Sequence, residues 1–263
     1  MTVWNALLNP ARRRASASRI EAVSSWGKPI ALSLPWPHLQ GSGEVRTEIE
    51  RDYDRILYAA PVRRMADKTQ VFPLERNDVV RTRLTHSHEV ANLARAAGVD
   101  LVFNHAVAQS RVQAARDVPT LLATLGLAHD LGNPPFGHQG ERAMQTWFER
   151  HAPTVFDESY GLTKAMCLDF LRFEGNAQTL RLLTKLQIIN DDYGLNLSYA
   201  TLAALLKYPV ASDKVDKRVS VQRKHGFFQS EAALVEELWQ ATGLASGQRH
   251  PLTFVLEACD DIA

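Results

Sequence analysis

Histidines and carboxylates able to share a divalent cation stand at three separated places in this sequence. His129 and Asp130 are adjacent at the end of an almost wholly apolar run, 121–128, and the breakers Gly132, Pro134 and Pro135 follow. Neutral imidazole and ionised carboxylate are ligands that borderline and hard divalent metals accept, so the pair reads as a metal half-site. The bland alternative is a capped, solvated helix end. Against it, the apolar run puts that end in a buried setting, where an uncompensated carboxylate is costly. His86 upstream, and Asp260 or Asp261 downstream, would complete the site. The two aspartates follow Glu257 in an apolar stretch at 252–263, more acid than solubility requires.

His138 and Glu141 are three apart and would share one face of a helix. A histidine oriented by a carboxylate is the usual equipment for moving a proton near a reaction centre. Alternatively, Glu141 only favours a helix N-terminus electrostatically. Cations recur nearby: Arg81, Arg83 and His88 around His86, Lys207 beside Tyr208, and Arg223 and Lys224 ahead of Phe227. Guanidinium and ammonium groups match phosphate oxygens, although each cluster read alone is also an ordinary solvated patch. Asn176, after Glu174 and Gly175, reads as a turn residue that starts the next helix. Metal ligands, a proton-transfer pair and several cations together predict metal-dependent hydrolysis of a phosphate ester.

Helices must carry these residues. Ile49, Tyr53, Ile56 and Leu57 repeat at helical spacing. Residues 84–97 read as an amphipathic helix stopped by Gly98, and 102–116 as another. Pro119 suits the first turn of the helix that runs to Asp130. Helical patterns return at 141–148, 165–173, 177–190, 202–206, 230–242 and 251–263. Residues 212–223 are charged and read as a loop or weak hairpin, with Val219 and Val221 able to pair. Residues 1–45 form an irregular arm containing Trp4, Trp26 and Trp36, where Pro35, Pro37, Gly41 and Gly43 exclude helix. The expectation is an all-α chain with a catalytic domain over 46–263.

With 263 residues, 45% of them hydrophobic, the chain can bury a sizeable core. Lys and Arg total 30 against 29 Asp and Glu, so charge balance makes no global case for nucleic acid or membrane. Cys167 and Cys259 are too few for a disulfide framework and read as buried free thiols. Arg12, Arg13 and Arg14 lack the following apolar stretch of a secretory leader. No apolar run approaches the ~20 residues of a membrane span. The expected location is cytoplasmic.

Six blocks, in order, resemble the deoxyguanosine triphosphate triphosphohydrolase family: KTQVFPLE at 68–75, RTRLTHS at 81–87, HDLGNPPFGH at 129–138, FEGNAQ at 173–178, LKY at 206–208 and EACDDIA at 257–263. That family belongs to the HD-domain phosphohydrolases, all-helical folds with a His…His-Asp…Asp metal site. The resemblance implies that His86, His129, Asp130 and Asp260 hold one divalent ion, Mn²⁺ or Mg²⁺. Asp260 is preferred to Asp261 because the family's ligand is the first acid of its block. It further implies that His138 and Glu141 are the catalytic pair. Arg83, Asn176, Lys207 and Lys224 match positions near phosphate or sugar, and Gln70 matches one that meets the deoxyribose. The implied reaction converts a deoxynucleoside triphosphate, dGTP first, to deoxynucleoside and inorganic tripolyphosphate. The implied assembly is a homo-oligomer, commonly a hexamer, sometimes with affinity for single-stranded DNA. Family chains continue beyond the position of Ala263 with helices that enclose the base and build oligomer contacts; this sequence ends there.

Two other readings compete. One is an HD phosphohydrolase acting on nucleoside monophosphates or on cyclic or alarmone nucleotides; Arg83, Lys207, Arg223 and Lys224 suit a triphosphate better. The other is a regulator that binds nucleotide or single-stranded DNA without turnover, which the full set of metal positions plus His138 disfavours.

Overall fold

Every residue from 121 to 128 is buried, so this one helix must be enclosed by other elements on all sides. The computed structural model describes residues 3–13, 45–75, 77, 79–187 and 192–263. Within them the chain forms α1 (Val3–Leu7), α2 (Glu48–Leu57), α3 (Ala60–Arg64), α4 (Arg83–Phe103), α5 (Ala114–Ala128) and α6 (His138–Val155). These are followed by α7 (Lys164–Leu171), α8 (Gly175–Arg181), α9 (Tyr199–Leu205), α10 (Ala232–Thr242) and α11 (Pro251–Ile262). Among the described residues there is no β-strand, only isolated bridges such as Thr69 with Thr82. The fold is all-α, and no described helix is long and apolar enough to cross a membrane.

Helix α5 divides the core. Val118, Leu121, Leu122 and Leu125 pack with Leu8, Ile49, Val90, Leu252 and Leu256 on one side. Leu127 and Ala128 join Ile56, Met65, Leu180, Leu202 and Trp239 on the other. Helix α4 runs antiparallel along α5, and two glycines set how closely. A Cβ on Gly98 would lie 2.8 Å from the Pro119 Cα, and one on Gly126 would lie 2.5 Å from the Ala91 Cα. Gly98 therefore does not stop α4, which continues to Phe103; it is a contact position. In this register the start of α4 meets the end of α5, and the rings of His86 and His129 sit edge to face, 5.6 Å between centroids.

Other boundaries differ from the sequence pattern for physical reasons. The helix expected over 102–116 is absent: Ala106 and Ala108 take left-handed φ values and the chain turns before α5 begins. Pro119 consequently lies inside α5 instead of in its first turn. The hairpin expected near Val219 and Val221 is a 3-10 turn, Ser220–Gln222. Its segment is anchored by Ser212, whose Oγ donates to buried Asp169 at 2.6 Å. Cys259 is buried but Cys167 only half-buried, and both are free.

Of the N-terminal arm, Trp4 falls in α1 and packs on the core, while Arg14, Trp26, Trp36 and the Pro and Gly positions lie outside the described residues. Arg12 docks the described part. Its guanidinium is 2.6 Å from both Glu48 and Asp52, and Asp52 also accepts bonds from Ser198 and Thr201.

Candidate functional site

Thr82 caps α4 by accepting from the Thr85 N–H, which fixes the first turn and places His86 on its inner face. His86 is 4% exposed. His129 occupies the C-terminal cap of α5, and its Nδ1 lies 2.7 Å from the Gly126 carbonyl. A carbonyl only accepts, so Nδ1 carries the proton and Nε2 presents its lone pair. Among the described residues that buried Nε2 has no hydrogen-bond partner, yet it faces Asp260 Oδ1 at 3.3 Å and Asp130 Oδ1 at 3.6 Å. Donor atoms of His86, His129 and Asp130 all lie within 4.8 Å of one another. Asp260, in the last turns of α11, also reaches His86 Nε2 at 3.2 Å.

A lone pair aimed at two carboxylates is repulsive unless something positive lies between them. Burial opposes charging His129, but the Asp130 and Asp260 carboxylates outweigh it and raise its pKa above the usual value. Burial of Asp260 is likewise outweighed by His129, His86 and Lys207, which hold its pKa well below the ordinary range. Proton affinity and cation affinity have the same origin here. The orphaned Nε2 and the two histidines and two carboxylates around it fit a divalent ion.

Asp130 is itself held. Its Oδ2 contacts Arg83 Nη1, and its Oδ1 accepts from Asn133 Nδ2 at 2.5 Å. Gly137 makes room for that arginine, with φ +54° and a position where a Cβ would lie 2.4 Å from Arg83 Nη2. Lys68 Nζ donates to the Asn133 carbonyl at 2.8 Å, pinning the same turn, although burial and nearby Arg83 lower its pKa. After this turn α6 begins at His138. His138 Nδ1 and Glu141 Oε2 are 2.8 Å apart, and Glu141 Oε1 accepts from the Gly175 N–H at 2.8 Å. The ring is exposed at 80% while the carboxylate beneath it is 6% exposed. His138 therefore faces solvent on a buried, fixed support.

A cavity of about 380 Å³ joins these groups. His129, Asp130 and Asp260 line it, as do His138 and the cations Arg83, Lys207, Arg223 and Lys224. Gln70 and Asn176 line it too, and the buried Gln70 Oε1 has no partner among the described residues. Arg81 and His88 are not brought in: Arg81 pairs with Glu89 at 2.7 Å, and both Arg81 and His88 are exposed. Asp261 reaches the cavity but neither histidine, so Asp260 is the acid of the cluster.

Some residues of the site carry no periodic signal. Asn133 and Lys68 act by hydrogen bonds across the chain. Glu174 is 4% exposed and accepts from Asn176 at 2.8 Å and Lys224 at 3.0 Å. Burial and the nearby Glu141 carboxylate raise its pKa, partly offset by Lys224. Only their place inside the blocks KTQVFPLE, HDLGNPPFGH and FEGNAQ could have pointed to them.

The HD domain family model matches residues 83–166, the segment carrying His86, His129, Asp130, His138 and Glu141. A deoxyguanosinetriphosphate triphosphohydrolase-like protein of Listeria monocytogenes serovar 1/2a is 42% identical over 270 residues, covering 99% of this chain and 53% of the relative. A protein of the same description from Synechocystis sp. is 42% identical over 231 residues, 82% of this chain and 52% of the relative. The deoxyguanosinetriphosphate triphosphohydrolase of Serratia proteamaculans is 34% identical over 252 residues, 84% and 48%. The chain belongs to the deoxyguanosinetriphosphate triphosphohydrolase-like HD-domain family. It spans about half the length of the curated relatives it matches. In this family member, the region of the HD match supplies five of the clustered residues, and α11, outside that match, supplies Asp260.

Proposed function

We propose that this chain is the catalytic part of a metal-dependent triphosphohydrolase that converts a deoxynucleoside triphosphate, dGTP first among them, to deoxynucleoside and inorganic tripolyphosphate. The observation that supports it is a single cavity shared by the His129, Asp130 and Asp260 cluster, by exposed His138 and by four cations. In this reading His86, His129, Asp130 and Asp260 hold one divalent ion, Mn²⁺ or Mg²⁺. When bound, the ion supplies positive charge to the α-phosphate oxygens and makes water more acidic.

The chain's own residues do the rest. Glu141, fixed by the Gly175 N–H, keeps the His138 proton on Nδ1, which leaves Nε2 to accept a proton from the attacking water. The water oxygen bonds to the α-phosphorus, the bond from phosphorus to the 5′ oxygen breaks, and that oxygen leaves with a proton as the nucleoside hydroxyl. All three phosphorus atoms stay in the inorganic product. Charge grows on the phosphate oxygens during this step, and preorganised cations such as Arg83, Lys207 and Lys224 stabilise it at no further reorganisation cost. Gln70, whose buried Oε1 has no partner among the described residues, and Asn176 hold the sugar end. Residues 46–263 form the catalytic domain. A homo-oligomer, hexameric by resemblance, an affinity for single-stranded DNA and a cytoplasmic location complete the reading.

Incubation with dGTP and Mn²⁺ or Mg²⁺, with products separated by ion exchange, tests it. Deoxyguanosine and tripolyphosphate are expected. Release of dGDP and orthophosphate would overturn the reaction type, and the same assay over all four deoxynucleotides reads base preference.

A further inference from the structure

Beside the reaction cavity lies a second, larger one of about 760 Å³ that the chemistry above leaves unused. His138, Arg223 and Lys224 line both. The second cavity adds Arg142 from the first turns of α6, Arg172 from the end of α7, and Lys217 from the loop before α10. Among the described residues, neither Arg142 nor Lys217 has an ion-pair partner, and Arg172 is tied only to the Ser212 carbonyl, at 2.6 Å. The two carboxylates at the base are already engaged: Glu141 by His138 and the Gly175 N–H, Glu174 by Lys224 and Asn176.

The local field is therefore positive. Buried His225 lines the same cavity, and its Nε2 has no hydrogen-bond partner among the described residues. Burial first, then the Arg172 and Lys224 charges, push its pKa down to about 4. Uncompensated like charges converging on a concavity oppose folding and concentrate anions. A fitting occupant is strongly anionic, and His138, Arg223 and Lys224 stand where this cavity adjoins the reaction cavity. Cleavage at the α-phosphorus produces such a species in the adjoining cavity. It keeps the three phosphates of the substrate, gains an ionisable oxygen and loses the nucleoside that anchored it.

We infer that this basic annex is an anion subsite for inorganic tripolyphosphate, taken up from the reaction cavity along Arg223 and Lys224 and held by Arg142, Arg172 and Lys217. The inference rests on the triphosphohydrolase reading for the identity of its ligand, but binding can be measured without turnover. The test is calorimetric titration of the full chain, and of an R142Q/K217Q double variant, with inorganic tripolyphosphate and with a non-hydrolysable dGTP analogue. Both side chains are exposed, so the variant folds as the parent does. Because the variant removes two charge-assisted hydrogen-bond donors, tripolyphosphate affinity is expected to fall about tenfold or more while analogue affinity changes less than about twofold. Three results overturn the inference: no binding of tripolyphosphate by the parent, unchanged affinity in the variant, or an equal loss for the analogue. The last would make these cations part of the substrate's own site. A product assay returning dGDP would instead sink the triphosphohydrolase reading and leave this binding comparison intact.

Discussion

The Nε2 atom of His86 and the Oδ1 atom of Asp260 lie 3.2 Å apart although 174 positions separate them in the chain. They meet because α4 and α11 both pack against α5, whose C-terminal cap supplies His129 between them. If this cluster holds a divalent ion, adding Mn²⁺ must raise the urea midpoint, because a ligand at about 100 times its dissociation constant stabilises the folded state by about 2.7 kcal/mol. Asp130→Ala and Asp260→Ala are expected to abolish that rise and to be purified without bound metal. A midpoint that responds to Mn²⁺ equally in parent and variants would remove these residues from the metal site.

Glu141→Gln keeps an acceptor for the Gly175 N–H but loses the charge beside His138. Turnover should drop about 100-fold or more while metal content stays at the parent level, the signature of a damaged proton-transfer pair. Simultaneous loss of metal would mean that the carboxylate serves the metal instead.

Gly126→Ala introduces a Cβ 2.5 Å from the Ala91 Cα, where only backbone could move to admit it. Overpacking of this kind costs typically about 1–3 kcal/mol. Because α4 and α5 carry His86 and His129, the same substitution should weaken metal binding. Denaturation and metal titration on one preparation check both effects, and an unchanged metal affinity would show that the helix register does not set the site.

Arg12→Ala leaves Asp52, which is fully buried, without its guanidinium. Removing one partner of a buried ion pair is strongly destabilising, about 3–5 kcal/mol. Three hydrogen bonds from Ser198 and Thr201 remain on Asp52 and place the expected loss toward the lower end. Equilibrium urea unfolding measures it.

Burial holds the His250 pKa down to about 4, against an ordinary 6.5, despite the opposing bond to the Leu7 carbonyl. Its Nδ1 caps α11 by accepting from the Leu252 N–H. The folded state thus resists protonation that the unfolded chain accepts. This group's contribution is complete above pH 6.5 and is lost as pH falls through the window down to about 4. The loss is of order 3 kcal/mol, and His225, also lowered to about 4, adds a second loss in the same window. His250→Asn keeps a capping acceptor and should flatten the decline of the urea midpoint across that window. An unchanged slope would assign the acid sensitivity elsewhere.

Much of the site is legible in the chain's local patterns. The apolar run ending in His129 and Asp130 requires a buried helix end, and α5 is that helix. The three-residue spacing of His138 and Glu141 requires a shared helical face, and a 2.8 Å contact between them is found. Gly98 misleads, because a glycine that ends a helix and one that lets two helices touch look identical in one dimension. The span 102–116 misleads for a related reason: helical spacing of apolar residues does not reveal the left-handed turns at Ala106 and Ala108.

From its sequence alone, this chain's helical character, the types of its candidate metal-binding and proton-moving side chains, and its family were legible, because each is written in local spacing or short blocks. Which of the two adjacent aspartates lies against His86 and His129 was decided spatially, and it is Asp260. So were the roles of Asn133, Lys68 and Glu174 as supports and the burial of Arg12 against Asp52. The convergence of Arg142, Arg172 and Lys217 on one concavity was settled the same way. Such relationships depend on how distant helices pack in three dimensions, and no local pattern in the chain records that packing.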